Sequence, residues 1–105
     1  MQKDKCVFFG CATALVTPFK NGEVDYLSLG TLIDFQIKNG ADAIVVLGTT
    51  GEAPTIKETE RAEIIEFSRD KIKDRVPLIV GVGTNSTEST IRYAKNAHSL
   101  GANAI

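Results

Sequence analysis

Apolar positions follow two alternating rhythms along this chain. Short apolar runs, Ala12 to Val16, Ala43 to Leu47 and Leu78 to Val82, read as strands. Between them lie longer stretches whose apolar residues recur every three or four positions, the spacing of one helix face. Leu29, Leu32, Ile33 and Ile37 form such a face over residues 26–39, with Asp25 as N-cap and Gly40 past the C-terminal end. Ile64, Ile65, Ser68 and Ile72 form a second face, in a helix predicted to begin near Thr55 to Glu58, where Thr-x-x-Glu reads as a capping box. Ile91, Ala94, Ala97 and Leu100 form a third, in a helix starting at Asn85 or Ser86 and closed by Gly101. Thr17-Pro18 stops the first strand, Asn21-Gly22 marks a turn, and Pro77 precedes the third strand.

An internal echo supports this layout. Gly40-Ala41-Asp42-Ala43-Ile44 recurs as Gly101-Ala102-Asn103-Ala104-Ile105, and Gly48-Thr49 and Gly83-Thr84 both close strands. Repeated βα units of about 30 residues imply a parallel α/β sheet with right-handed crossovers. The second and third strands are apolar on both faces, as a sheet covered on both sides requires. Three units and the beginning of a fourth strand leave open sheet edges. The chain is therefore expected to be the first part of a longer protein.

The composition narrows the function classes. The 105 residues are 43% apolar and 24% charged, with a net charge of -1. That balance carries no electrostatic footprint for nucleic acid or an anionic membrane. No apolar run approaches the roughly 20 residues of a membrane span, and no secretory leader is evident, so a cytoplasmic location is expected. Cys6 and Cys11 read as small apolar fillers in a reducing compartment, not as a disulfide or half a metal site.

The densest chemistry lies in Gly48-Thr49-Thr50-Gly51-Glu52, which closes the second strand. Stiff β-branched hydroxyl residues between two glycines can present fixed O–H and N–H groups at a strand's C-terminal end, where α/β proteins bind ligands. Thr49 and Thr50 are thus candidates for holding a small anion, and the spacing of a phosphate-binding P-loop is absent. Gly81-Val82-Gly83-Thr84-Asn85-Ser86 has the outline of a dinucleotide fingerprint but lacks its third glycine and its downstream acid. A strand-to-helix turn capped by Asn85 or Ser86 is the simpler reading. Glu52, Glu58, Glu60 and Glu63, mixed with Lys57, Arg61 and Arg69, read as a solvated helix face with local charge pairs. His98 reads as a surface histidine near a favourable helix end, and Tyr26 and Tyr93 carry no catalytic signature.

Three motifs in order, Gly10 through Phe19, Gly48 through Glu52, and Gly81 through Thr87, resemble the N-acetylneuraminate lyase family of pyruvate-dependent aldolases. The resemblance covers nearly the whole chain, and Gly-Thr-Thr-Gly-Glu with Asn85-Ser86-Thr87 points to the synthase branch. It implies a (β/α)₈ TIM barrel, of which this chain supplies roughly the first three βα units (residues 1–105), assembled as a homotetramer. It also implies Schiff-base condensation of pyruvate with L-aspartate 4-semialdehyde on the diaminopimelate route to lysine, with no metal and no dissociable organic cofactor.

By the same resemblance, Thr49 serves as a proton relay and Thr50 holds the pyruvate carboxylate. The Schiff-base lysine belongs to a segment after Ile105. Lysine-inhibited members often carry histidines where Glu58 and Arg61 stand and an acid where Ser89 stands, with Glu88 one position earlier here. Asn85 matches the inhibitor site, but the departures argue against feedback by lysine. A sister aldolase acting on sugar acids, and more distantly a nucleotide-binding module using Gly81 to Ser86, are the alternatives.

Overall fold

The computed structural model describes residues 10–48, 56–84 and 86–105. Eight elements follow in order: β1 (Ala12–Ala14), β2 (Phe19–Lys20), β3 (Glu23–Val24), α1 (Tyr26–Lys38), β4 (Ala43–Val46), α2 (Glu58–Ile72), β5 (Leu78–Val80) and α3 (Thr87–Ser99). β1, β4 and β5 form a parallel sheet in that spatial order, and Ala104 bridges to Ile79 on the far side of β5. Each strand is thus laid beside its predecessor in one direction. Right-handed crossovers then place every helix on the same face, as in a barrel; a doubly wound sheet must reverse its order.

Pairing parity shows which face that is. Ile44 pairs with Leu78 and Val46 with Val80, and all four are buried in one cluster with Leu29, Ile33, Ile64, Ile65 and Ile72 from the helices. Val45 and Ile79 point the other way and are only half-buried. The helix-free face is therefore partly open, which corrects the expectation of a sheet covered equally on both sides. β1 is largely exposed, since no strand among the described residues pairs with its other edge.

The predicted helix faces hold in part. On α2, Ile64, Ile65, Ser68 and Ile72 are all buried, and on α1 Leu29 and Ile33 are. On α3 only Ala97 is fully buried, while Ile91 is exposed. Asp25 caps α1 as expected: its side chain accepts from the Ser28 amide at 3.1 Å and from Ser28 Oγ at 2.7 Å. The N-cap of α2 is Lys57, and Glu60 accepts from its amide at 3.1 Å. Lysine has no acceptor to return that bond, so half of a capping box forms; the expected partner Thr55 lies outside the described residues. Asn21 and Gly22 both adopt positive φ (55° and 81°), the geometry of a tight hairpin turn, and join β2 to β3.

The internal echo is a repeated piece of structure. Gly40 donates to the Ile37 carbonyl and Ala41 to that of Gln36; Gly101 donates to His98 and Ala102 to Ala97. Both are Schellman turns, and both glycines sit at strongly positive φ, 96° and 102°. One residue later the echo continues. The Asp42 amide donates to the Cys11 carbonyl, and the Asn103 amide donates to that of Leu78. Each side chain also accepts from the amide of that same partner residue. Cys11 is an exposed free thiol at the start of this clasp, not the buried filler expected; Cys6 lies outside the described residues.

Candidate active site

The C-terminal ends of β1, β4 and β5 share one rim, as parallel strands in register must. Leu15 donates to the Val45 carbonyl at 3.0 Å, and Gly81 donates to Val46 at 2.9 Å. The described parts of the three sequence motifs therefore converge, although they lie some 30 residues apart in the chain. Thr49 and Thr50 lie outside the described residues. The two residues that lead into them, Leu47 and Gly48, are described.

Leu47 is the unusual member of the rim. Its φ is 60°, a left-handed conformation that a branched residue adopts at a cost, and its side chain is buried in the core. The backbone thus turns sharply where β4 ends, immediately before the paired hydroxyls. Gly81 makes room for this turn. A Cβ on Gly81 would meet the Leu47 carbonyl oxygen at 2.4 Å and Gly48 Cα at 2.9 Å, too close for any side chain. The glycine of the third motif is required by the backbone of the second.

Arg61 completes the arrangement and corrects the expectation of a solvated helix face. Its side chain is buried (5% exposed), and Nη2 donates to the Gly81 carbonyl at 2.8 Å. Its guanidinium lies 4.1 Å from the centre of the Tyr93 ring, a cation–π contact from α2 to α3. Burial pulls the guanidinium below its ordinary pKa, with Tyr93 and Glu58 opposing that shift. Arg92 flanks the same ring at 5.4 Å and pairs with Glu58. These residues line a cleft of about 280 Å³ between α2 and α3.

The face of α2 offered the missed signal. Arg61 precedes Ile64, Ile65, Ser68 and Ile72 at helical spacing, so it belongs to the inner stripe despite its charge. Arg69, also read as solvated, reaches across to donate to the Leu100 carbonyl at 2.8 Å. Glu58, Glu60 and Glu63 lie outside the buried stripe, Glu63 accepting from the Tyr26 hydroxyl at 3.4 Å.

The third motif is organised by its own hydroxyls. Ser86 caps α3, accepting from the Ser89 amide at 3.2 Å, while Thr84 Oγ1 donates to the Ser86 carbonyl at 2.6 Å and lies 3.0 Å from Thr90 Oγ1. The capped strand-to-helix turn is thus the form this segment takes; Asn85 lies outside the described residues. His98 is exposed in the last turn of α3, as expected. Among the described residues no three His, Cys, Asp or Glu side chains cluster as metal ligands, and no helix is long and apolar enough to cross a membrane.

Comparison with known proteins gives one consistent result. The sequence model described as "Dihydrodipicolinate synthetase family" matches residues 7–105. The 4-hydroxy-tetrahydrodipicolinate synthase of Thermotoga maritima is 48% identical over 99 residues, which are 94% of this chain and 34% of that protein. Its counterpart from Lachnoclostridium phytofermentans is 50% identical over 100 residues, again 34% of its length. The chain therefore spans about a third of the curated relatives it matches. The crystal structure of the Thermotoga maritima dihydrodipicolinate synthase superposes with a TM-score of 0.91 at 49% identity, covering 93% of this chain and 33% of that one. A chloride-inhibited synthase from Acinetobacter baumannii, complexed with pyruvate, gives 0.87 at 41% identity over 90% of this chain and 33% of its own. The fold is that of the (β/α)₈ barrel, and the three βα units correspond to a third of it.

Proposed function

Since the chain belongs to the dihydrodipicolinate synthetase family, we propose that residues 1–105 form the N-terminal part of a single TIM-barrel catalytic domain. Its full-length protein condenses pyruvate with L-aspartate 4-semialdehyde to 4-hydroxy-tetrahydrodipicolinate, on the diaminopimelate route to lysine. The observation that supports this reading is the match across residues 7–105 joined to the rim geometry, in which Gly81 packs against Leu47 and Gly48, the two residues that precede the Thr49-Thr50 pair in the sequence.

The chemistry needs few parts. A lysine amine beyond Ile105 adds to the pyruvate ketone and expels water, giving an imine; loss of a methyl proton turns it into an enamine, a carbon nucleophile. That carbon attacks the aldehyde of the second substrate, whose oxygen takes up a proton. The substrate amine then displaces the lysine, closing the ring and freeing the enzyme. Thr49 relays protons in these steps, and Thr50 with neighbouring backbone amides binds the pyruvate carboxylate. No metal or dissociable cofactor is required, and the enzyme assembles as a homotetramer.

The test is covalent trapping. Borohydride added with pyruvate to the full-length protein reduces the imine and fixes pyruvate to one lysine, located by peptide mass spectrometry. Modification of Lys3, Lys5, Lys20, Lys38, Lys57, Lys71, Lys73 or Lys95, or no modification at all, would contradict the proposed mechanism. Turnover of sugar acids in preference to aspartate semialdehyde would redirect it to a sister aldolase.

A further inference from the structure

We propose that Arg61 is a positioning residue that holds the Leu47–Gly48 turn, which precedes Thr49 and Thr50 in the sequence, by way of the Gly81 carbonyl. The inference rests on the functional reading above. It starts from a buried cation whose described hydrogen bond goes to a backbone carbonyl and not to a carboxylate. Burying a guanidinium is costly, and an apolar residue at this point of the α2 stripe would pack more cheaply. What an apolar residue cannot supply is a donor aimed at the end of β5.

Both sides of Gly81 are held. Its amide donates to Val46 on β4, and its carbonyl accepts from Arg61 on α2. With both fixed, its Cα stands directly against the Leu47 carbonyl, where no side chain fits. Leu47 has an unfavourable φ of 60° and needs such a backstop, since the turn relaxes if Gly81 withdraws. Tyr93 holds the guanidinium from the α3 side, so three elements (α2, α3 and β5) converge on one carbonyl. The outcome is control of the two residues that lead into Thr49 and Thr50, where small misplacements of reacting groups carry large rate penalties.

Arg61→Met in the full-length enzyme keeps the aliphatic stem and removes the donors; Arg61→Lys restores a charge and one donor. For Arg61→Met, kcat is expected to fall by about 10- to 100-fold, with the pyruvate KM raised several-fold and the KM for the aldehyde substrate little changed. Arg61→Lys should recover most of the loss. A purely structural role would lower the unfolding temperature while leaving kcat and both KM values per folded molecule at wild-type levels, and that result overturns the proposal. If Arg61→Met does not fold, Arg61→Leu is judged against Arg61→Lys by the same criteria. A wild-type enzyme that forms no borohydride-trapped pyruvate adduct overturns the functional reading and this proposal with it. An adduct-forming wild type matched by the donor-less variant overturns this proposal alone.

Discussion

Asp42 and Cys11 clasp each other through two hydrogen bonds: the Asp42 amide donates to the Cys11 carbonyl at 2.8 Å, and the Asp42 carboxylate accepts from the Cys11 amide at 2.8 Å. Asn103 and Leu78 repeat the pattern one unit later, also at 2.8 Å for both bonds. An amide oxygen thus serves where a carboxylate does. Gly10, at φ 109°, leaves space for the acid, since a Cβ there would lie 2.0 Å from Asp42 Oδ2. Asp42→Ala should lower stability by about 1 kcal/mol, the value of one such bond at an exposed site, and Asp42→Asn should retain most of it. Urea unfolding of both variants checks this. Equal midpoints would mean that charge, and not acceptor geometry, matters.

Asp34 ties α1 to α2, accepting from Arg75 at 2.9 Å and pairing with Lys71 at 2.9 Å. Arg75 first, then Lys71, hold its carboxyl below the usual carboxylate range. Because the folded pKa is the lower one, the contribution is complete above the unfolded value of about 3.9. It is lost as pH falls through the folded value. Asp34→Asn should therefore lower Tm near pH 7 by about 2 °C or less, the pair being exposed. The difference should close at the acid end. A difference that persists there would assign the effect to packing.

Tyr26 behaves oppositely. Burial, then the charge of Glu63 and its hydrogen bond, push the phenol up to about 12. Here the folded pKa is the higher one. Its contribution is present below the unfolded value of about 10 and lost as pH rises through the folded one. Near-ultraviolet titration of wild type against Tyr26→Phe should isolate a phenol ionising near 12. Glu63→Gln should bring it down while burial keeps it above an ordinary tyrosine. Ionisation at the ordinary value would contradict the packing of Tyr26 against Phe67, whose rings lie 5.1 Å apart.

In the full-length enzyme, Thr49→Val should lower kcat by about 10²-fold or more, the scale of one proton-relay or oxyanion group. Thr50→Val should act chiefly on the pyruvate KM, since its proposed task is to bind the carboxylate. Steady-state kinetics with both substrates varied separates the two. An unchanged kcat in Thr49→Val removes that residue from the mechanism.

Periodicity made the α2 face legible at Ile64, Ile65 and Ile72, and the turn glycines marked where α1 and α3 end. Arg61 sat on the same stripe but was hidden by its charge, because a pattern of apolar and polar letters has no symbol for a buried guanidinium. The left-handed Leu47 was equally hidden: nothing about leucine announces positive φ, and only the close approach of Gly81 explains why it is held there. Ile91 misled for the converse reason. Its spacing matched a buried stripe, yet burial depends on what lies opposite, and Ile91 is exposed. The β2–β3 hairpin was signalled by Asn21-Gly22, whose two strands are too short to show alternation.

Gly40 and Gly101 release their helices through the same turn, so β4 begins at Ala43 and Ala104 bridges to Ile79 each three residues past its glycine. A lengthened segment after Leu47 or Gly81 leaves that spacing untouched, whereas one added ahead of Ala43 or Ala104 displaces every residue downstream. Tolerance for altered length is thereby confined to the end of the sheet where the reactants would gather, and the opposite end keeps the pitch.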